Sequence, residues 1–441
     1  MAVTPFDSAM MRGLFGDDDI ARLFSDSAEV RAMLLVEGAL AQAQGELGVI
    51  PAESAAFIKR AVMEVQIDPA GLSAETGVNA VVVPALVKAF HAATDAPEHA
   101  QYFHWGATSQ DIMDTALVLR LKQVLALFEG RLQAITKALG ALAETHADLP
   151  MAGRTYGQIA SPTTFGAVVA SWGMPLIDHL QRLTELRPRL LRISLFGAAG
   201  TASMLKNAPA VRTKVAEALG LRHCDTSWHS TRDSIAEFSG WMTLAAGSFG
   251  KMGADLLLLT QSGIDEVTLA DGGGSSTMPQ KSNPVLPSLL VALASQTTAL
   301  NAAMQGAVVH RQQRDGAAWF VEWMNLGQIT MASARALSAA ETLANGIAPN
   351  SGEMAAHIDD GLGLIYAEAL SFELAKSMSR AKAQAEVKAL CQQVKSGATP
   401  LSDLVAAKWP GIDVSGLFTP QAQLGEAPVQ ARAFAKAAKS Y

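Results

Sequence analysis

The stretch GGGSSTMPQKSNPVLPSLLVALASQTTALNAAMQGAVV, residues 272–309, joins two kinds of sequence with opposite physics. It opens on three glycines, a cluster of hydroxyls and a single lysine, Lys281. From Ser282 to Val309 no residue carries a formal charge. A helix uncharged all the way round either crosses a membrane or is buried inside a large helical protein. Ser, Thr, Asn, Gln and Pro interrupt this run, and a second uncharged run over residues 155–177 is interrupted in the same way. Hydrocarbon offers such polar groups no partner. The run is therefore read as a bundle helix, covered by neighbouring helices and by other subunits, and no membrane span is expected.

Composition supports that reading. Of 441 residues, 49% are hydrophobic and 17% charged, enough to bury a large core and too apolar for disorder. Aromatics reach only 6% and alanine is abundant, which favours close-packed helices over sheets. A net charge of −7 argues against a nucleic-acid binder, which needs a basic face. An anionic substrate would have to be met by a few local cations. Cys224 and Cys391 have no metal-ligand or redox spacing and fit a reducing cytoplasm. The N-terminal MAVTPFDSAMMRGLFGDDDI lacks the basic and apolar regions of a signal peptide. The histidines show no HxxxH or HExxH spacing, and there is no phosphate loop or dinucleotide fingerprint, so neither metal nor cofactor is expected.

Helical periodicity dominates the chain. Residues 27–47 place Val30, Ala32, Leu34, Leu35, Ala39 and Leu40 at helical spacing, with Gly48 and Pro51 as stop signals. Thr108-Ser109-Gln110-Asp111 reads as a helix start, with hydroxyls to cap and an acid at the positive end of the dipole. That helix is predicted to run to about residue 147, and others over roughly 163–190, 209–219, 231–262, 287–313 and 319–346. No strand-length run alternates convincingly. Composition breaks near 102–108 and 348–352 divide the chain into an N-terminal helical region, 1–107, a long-helix bundle, 108–348, and a C-terminal helical region, 349–441. The fold class is all-α.

The opening loop has the parts of a closing lid. Glycines 272–274 give backbone freedom, the hydroxyls of Ser275, Ser276 and Thr277 follow, Lys281 brings charge, and Asn283-Pro284 starts the next helix. A helix N-terminus beside a lysine attracts carboxylates. On composition alone the same residues would also make an ordinary surface turn.

The order of those residues settles more. GSSTMPQKSNP resembles the signature loop of the fumarase/aspartase superfamily, HWGATSQDIMDTA (104–116) its first characteristic region and GRTYGQIASPTTFG (153–166) its second. The resemblance implies a three-region all-α chain with a long central helical bundle. It further implies a homotetramer with a twenty-helix core, whose active sites are shared between subunits. It carries the catalytic role to Ser275, the first serine of the loop, as the base, and to Lys281. Thr108, Ser109, Thr155, Gln158 and Asn283 become ligands for carboxylates, with Ser276 and Met278 beside them in the loop. A serine is a poor base unless its pKa is lowered, and closure against Lys281 and backbone amides is a means to do so.

Two departures bear on the reaction. Adenylosuccinate lyase-like members carry a histidine in region two, where this chain has Tyr156, and another upstream of region one, near Asn79 here. Expelling a nucleotide or guanidinium nitrogen calls for such an imidazole. A carboxylate leaving group does not. SWHSTRDSIAEF (227–238) and QRDGAAWFVEW (313–323) resemble the 3-carboxy-cis,cis-muconate cycloisomerase branch of the superfamily. That branch forms 4-carboxymuconolactone in the protocatechuate arm of the β-ketoadipate pathway. The resemblance adds His104, Trp228, His229 and Arg314 as substrate contacts, with Arg154 as a further cation and Asp315 as a potential partner for Arg314. An adenylosuccinate- or argininosuccinate-type lyase is the alternative, and Tyr156 and Asn79 are the features against it.

Overall fold

The computed structural model describes residues 4–441 except Asp271, Ser275, Ser276 and Ser415. The architecture is all-α, as read from the sequence. Ser25 opens the Asp26–Glu46 helix by accepting the Ala28 amide, and Asp26 and Glu29 occupy its first turn, where the dipole favours acids. Gly38 and Gly45 let the Ala52–Glu64 helix approach closely. A Cβ at either would lie 2.6 Å from Val62 or 2.3 Å from Ala55, inside contact distance.

Five long helices follow: Ser109–Thr145, Phe165–Leu190, Asp233–Leu259, Val285–Gly306 and Gly316–Gly346. The chain forms two compact units, and each division between them falls within one of these helices. The first unit comprises residues 1–131, 179–246 and 293–338; the second comprises 132–178, 247–292 and 339–441. Each unit thus draws on three separate segments.

The first unit's core gathers Met33, Leu34, Leu40, Ile58, Leu86, Phe90 and Val211, and Phe90 stacks on Phe103 at 4.0 Å. A core in the second unit surrounds Leu370, Leu374, Val387, Leu390 and Leu401. Among the described residues one helix, Val285–Gly306, is long and apolar enough to cross a membrane by length and composition. Two of its polar residues are engaged within the first unit: Thr297 is fully buried, and Asn301 Oδ1 accepts the Ser239 hydroxyl at 2.8 Å.

Helix limits agree with the periodicity except at one end. The Val285–Gly306 helix stops seven residues before the expected 313. Gly306 is followed by β-branched Val308 and Val309, and the next turn is held by Asp315, which accepts Arg311 Nε at 2.5 Å and the Arg311 amide at 3.2 Å. The expectation of no strands needs a correction. Six short strands pair antiparallel, two by two: β1 (Pro150–Thr155), β2 (Gln158–Thr164), β3 (Val267–Leu269), β4 (Gly273–Gly274), β5 (Ser282–Asn283) and β6 (Ile347–Pro349). The β1–β2 hairpin turns on Tyr156 and Gly157, at φ +52° and +73°, as two-residue primed turns require. Its Gly, Ala, Ser and Pro content, with a register shift between Ala152 and Arg154, erased the alternation that would have revealed it.

Candidate active site

Three of the motif segments converge in the first unit. Asp111, in the first turn of the Ser109 helix, is fully buried. Its carboxylate accepts the Phe196 and Gly197 amides at 2.8 Å each and the Thr108 amide at 3.0 Å. The Thr108 bond is half of a capping box, reaching back from the third helical position to the residue before the helix. The other two bonds pin a loop more than eighty residues away against the helix start. His229 Nε2 completes the set at 2.8 Å from Asp111 Oδ1.

Gln110 makes the second junction. Its Nε2 donates to the His229 carbonyl at 2.9 Å, and its Oε1 accepts Arg314 Nε at 2.7 Å. Arg314 NH2 also donates to the Ala198 carbonyl at 3.1 Å. One buried amide thereby links the TSQD, SWHS and QRDG segments and fixes a guanidinium whose NH1 has no partner among the described residues. Asp315, expected beside Arg314, binds Arg311 instead, and that cation holds its carboxyl well below the usual range.

Beneath this surface lies a buried ion cluster. Arg232 donates to Asp114 at 2.7 and 2.9 Å and to Glu322 at 2.9 and 2.5 Å, with all three side chains at most 2% exposed. Two carboxylates share one guanidinium, and burial raises the Asp114 carboxyl against the pull of Arg232. Trp228, expected at the substrate, lies inside instead: it is 3% exposed, its ring faces Arg232 at 4.8 Å, and its Nε1 donates to the Ile193 carbonyl at 2.9 Å. His229 is equally interior at 1% exposure, spent on Asp111 through one ring nitrogen.

His104 differs from both. Its backbone sits at φ +63°, uncommon for a non-glycine residue, and its Nδ1 lies 2.6 Å from Glu37 Oε1. Burial alone would lower its pKa, but the charge and hydrogen bond of Glu37, with the charge of Asp111, outweigh burial and raise it. Thr108 and Ser109 lie next to it at the helix start, both half-buried.

The remaining candidates belong to the second unit. Arg154 on β1 is bound by Glu266 through two bonds of 2.8 and 2.7 Å, and His357 Nδ1 lies 3.2 Å from the same carboxylate. Glu266 is fully buried, so Arg154, expected as a further cation or a paired one, is its counter-ion. Thr155, Tyr156 and Gln158 stand exposed at the hairpin tip, with Tyr156 fully exposed. In the signature loop, β4 and β5 close the base, where Gly273 pairs with Asn283, and Lys281 and Met278 are exposed. Ser275 and Ser276 lie outside the described residues. Among the described residues no group of three or more His, Cys, Asp or Glu is arranged to hold a metal ion.

Comparison with known proteins places the chain in a family. A family model described as Lyase matches residues 13–298. A 3-carboxy-cis,cis-muconate cycloisomerase of Pseudomonas aeruginosa is 38% identical, with 92% of this chain and 91% of that protein covered. The chain belongs to this lyase family, within the fumarase/aspartase superfamily. An Acinetobacter baylyi protein of the same cycloisomerase name is 35% identical over 90% of both chains. The crystal structure of 3-carboxy-cis,cis-muconate lactonizing enzyme from Pseudomonas putida superposes with a TM-score of 0.92 at 34% identity, covering 98% of this chain and 99% of that one. Within this lyase chain, Glu37, Gln110, Asp111 and Glu266 hold candidate residues in place, and the sequence did not point to those contacts. Only Asp111 gave a signal beforehand, as an acid three residues past a capping threonine.

Proposed function

We propose that the protein is a cofactor-free cycloisomerase that converts 3-carboxy-cis,cis-muconate to 4-carboxymuconolactone in the cytoplasm. One observation carries the choice among superfamily reactions: the region-two hairpin presents a phenol, Tyr156, at its tip where a lyase expelling nitrogen would need an imidazole. Lactonisation has no nitrogen to protonate. A substrate carboxylate oxygen forms a C–O bond across the conjugated double bond, and the adjacent carbanion takes one proton. Ser275 supplies that proton from its hydroxyl and regains it from solvent. Negative charge builds beside another carboxylate, and Lys281 with Asn283 disperses it, such donors being worth ~3–4 kcal/mol each at a preorganised site.

Arg314 is the best-prepared cation for a second carboxylate, since Gln110 already fixes its plane and one of its nitrogens remains unpaired among the described residues. Thr108, Ser109, Thr155, Tyr156 and Gln158 supply neutral donors, and His104 a further charge. Trp228, His229 and Arg154 hold the frame in this reading. We further propose the division 1–107, 108–348 and 349–441 as the working regions of a homotetramer, with each active site shared between subunits. Free Cys224 and Cys391 suit the reducing compartment assigned.

The test is to incubate purified protein with 3-carboxy-cis,cis-muconate, follow the diene absorbance and identify the product by NMR. Loss of the diene with a single lactone is expected. An unchanged diene, with cleavage of adenylosuccinate or argininosuccinate instead, would replace this reading with the lyase one.

A further inference from the structure

Glu37 is the most anomalous residue of the Asp26–Glu46 helix. It is 1% exposed on a face otherwise made of Met33, Leu34, Val36, Leu40 and Ala41. An ionised carboxylate in such surroundings is costly unless paired and hydrogen-bonded. Among the described residues it has one partner, His104 Nδ1 at 2.6 Å, and its second oxygen has none. Two helical turns later, on the same face, buried Gln44 donates its Nε2 to the Trp105 carbonyl at 2.7 Å. Two polar side chains on an apolar stripe thus clamp consecutive residues of the loop, and the loop accepts a left-handed backbone at His104 to meet them. The imidazole's inner nitrogen is occupied while the side chain stays 20% exposed. Its Nε2 has no partner among the described residues.

We propose that Glu37 is a positioning residue for the reaction: it holds the His104 ring as an imidazolium with Nδ1–H pointing inward, so that Nε2–H is the group offered to a substrate carboxylate. This rests on the reading of the substrate as a small polycarboxylate. It also resolves a shortage of charge, because Arg154 is consumed by Glu266. The charged groups reaching His104 are Glu37 from its helix and Asp111 from the start of the Ser109 helix, the latter shared with His229.

The test compares Glu37→Gln, His104→Gln and the double variant. In either single variant KM for 3-carboxy-cis,cis-muconate is expected to rise about 10- to 100-fold with kcat within about 3-fold, the signature of lost uniform binding through one charge-assisted hydrogen bond. The double variant should be no worse than His104→Gln alone. A 15N NMR titration, with the His104 signal assigned by its loss in His104→Gln, should show a lower midpoint in Glu37→Gln. That readout needs no turnover, so it stands even if the substrate is misassigned; binding of citrate as a tricarboxylate probe then replaces KM. An unchanged midpoint, or additive losses in the double variant, overturns the proposal. A fall in melting temperature with KM unmoved does so as well. Should Glu37→Gln fail to fold, Glu37→Asp keeps the charge but shortens the reach: a midpoint below the native one with elevated KM supports the proposal, and an unchanged midpoint or an unchanged KM refutes it.

Discussion

Asp111 and Glu266 are both fully buried carboxylates beside exposed or half-exposed candidate residues, yet they are satisfied differently. Asp111 is held by three backbone amides, an imidazole and the Ser194 hydroxyl, with no salt bridge to Lys or Arg among the described residues. Glu266 is held by the two-pronged guanidinium of Arg154 and by His357. An amide cage fixes backbone, and through it the helix start that carries Thr108 and Ser109. An ion pair neutralises charge and leaves the tip of its hairpin, Tyr156 and Gln158, standing in solvent. The first patch is finished within one chain. The second, like the signature loop, stands exposed, and the proposed function leaves it for substrate and, in the proposed tetramer, neighbouring subunits to complete.

The largest effect should follow loss of the cage. Asp111→Ala strips acceptors from buried amides, each costing about 1–3 kcal/mol unsatisfied, so a destabilisation of about 3–5 kcal/mol by denaturant titration is expected together with loss of turnover. Ser275→Ala should do the opposite and separate the two properties, with kcat falling about 1,000-fold and the melting temperature unmoved. If Ser275→Ala also unfolds the protein, the contrast between finished and unfinished patches breaks.

Glu266→Ala falls between them. Arg154 keeps 25% exposure and can recruit water, so about 1–3 kcal/mol is expected, less than for Asp111.

The Glu37–His104 pair gives a smaller, pH-dependent term. His104 has a raised folded pKa, so its stabilisation is complete below the unfolded value of about 6.5 and is lost as pH rises through the folded one. The stability gap between the native chain and His104→Gln should therefore be widest at acid pH and narrow as pH rises through the raised folded value. A gap that widens with pH would mean the ring is neutral when folded. Smallest of all, Tyr156→Asn should stabilise by about 0.5–1 kcal/mol, since Asn-Gly suits two positive φ values better than Tyr-Gly, while lowering kcat/KM if the phenol touches substrate.

Much of this was legible in the sequence because it is local. Helices announced themselves through spacing and stop signals, as at Val30–Leu40 with Gly48, and the Thr108–Asp111 cap needs only four consecutive residues. Side-chain partners distant in the chain were not legible. Arg154 gave no sign of its ion pair because Glu266 lies 112 residues away. Trp228 and His229 sat in a motif of the right appearance, but their burial depends on Ile193, Arg232 and Asp111. Glu37, inside an apolar helix, carried no mark of its link to His104, 67 residues on. The β1–β2 hairpin hid for another reason: small residues pair as strands without leaving an apolar–polar rhythm.

The contrast between the two patches is tested most directly by backbone hydrogen exchange with and without 4-carboxymuconolactone. The amides of Phe196 and Gly197 should be strongly protected in the free protein and unchanged by ligand, because Asp111 already holds them. Residues 155–158 and 277–283 should exchange rapidly when free and gain protection on binding. Fast exchange at Phe196 and Gly197 without ligand, or no gain at the hairpin tip and signature loop with it, would contradict the division between a finished frame and patches completed by substrate.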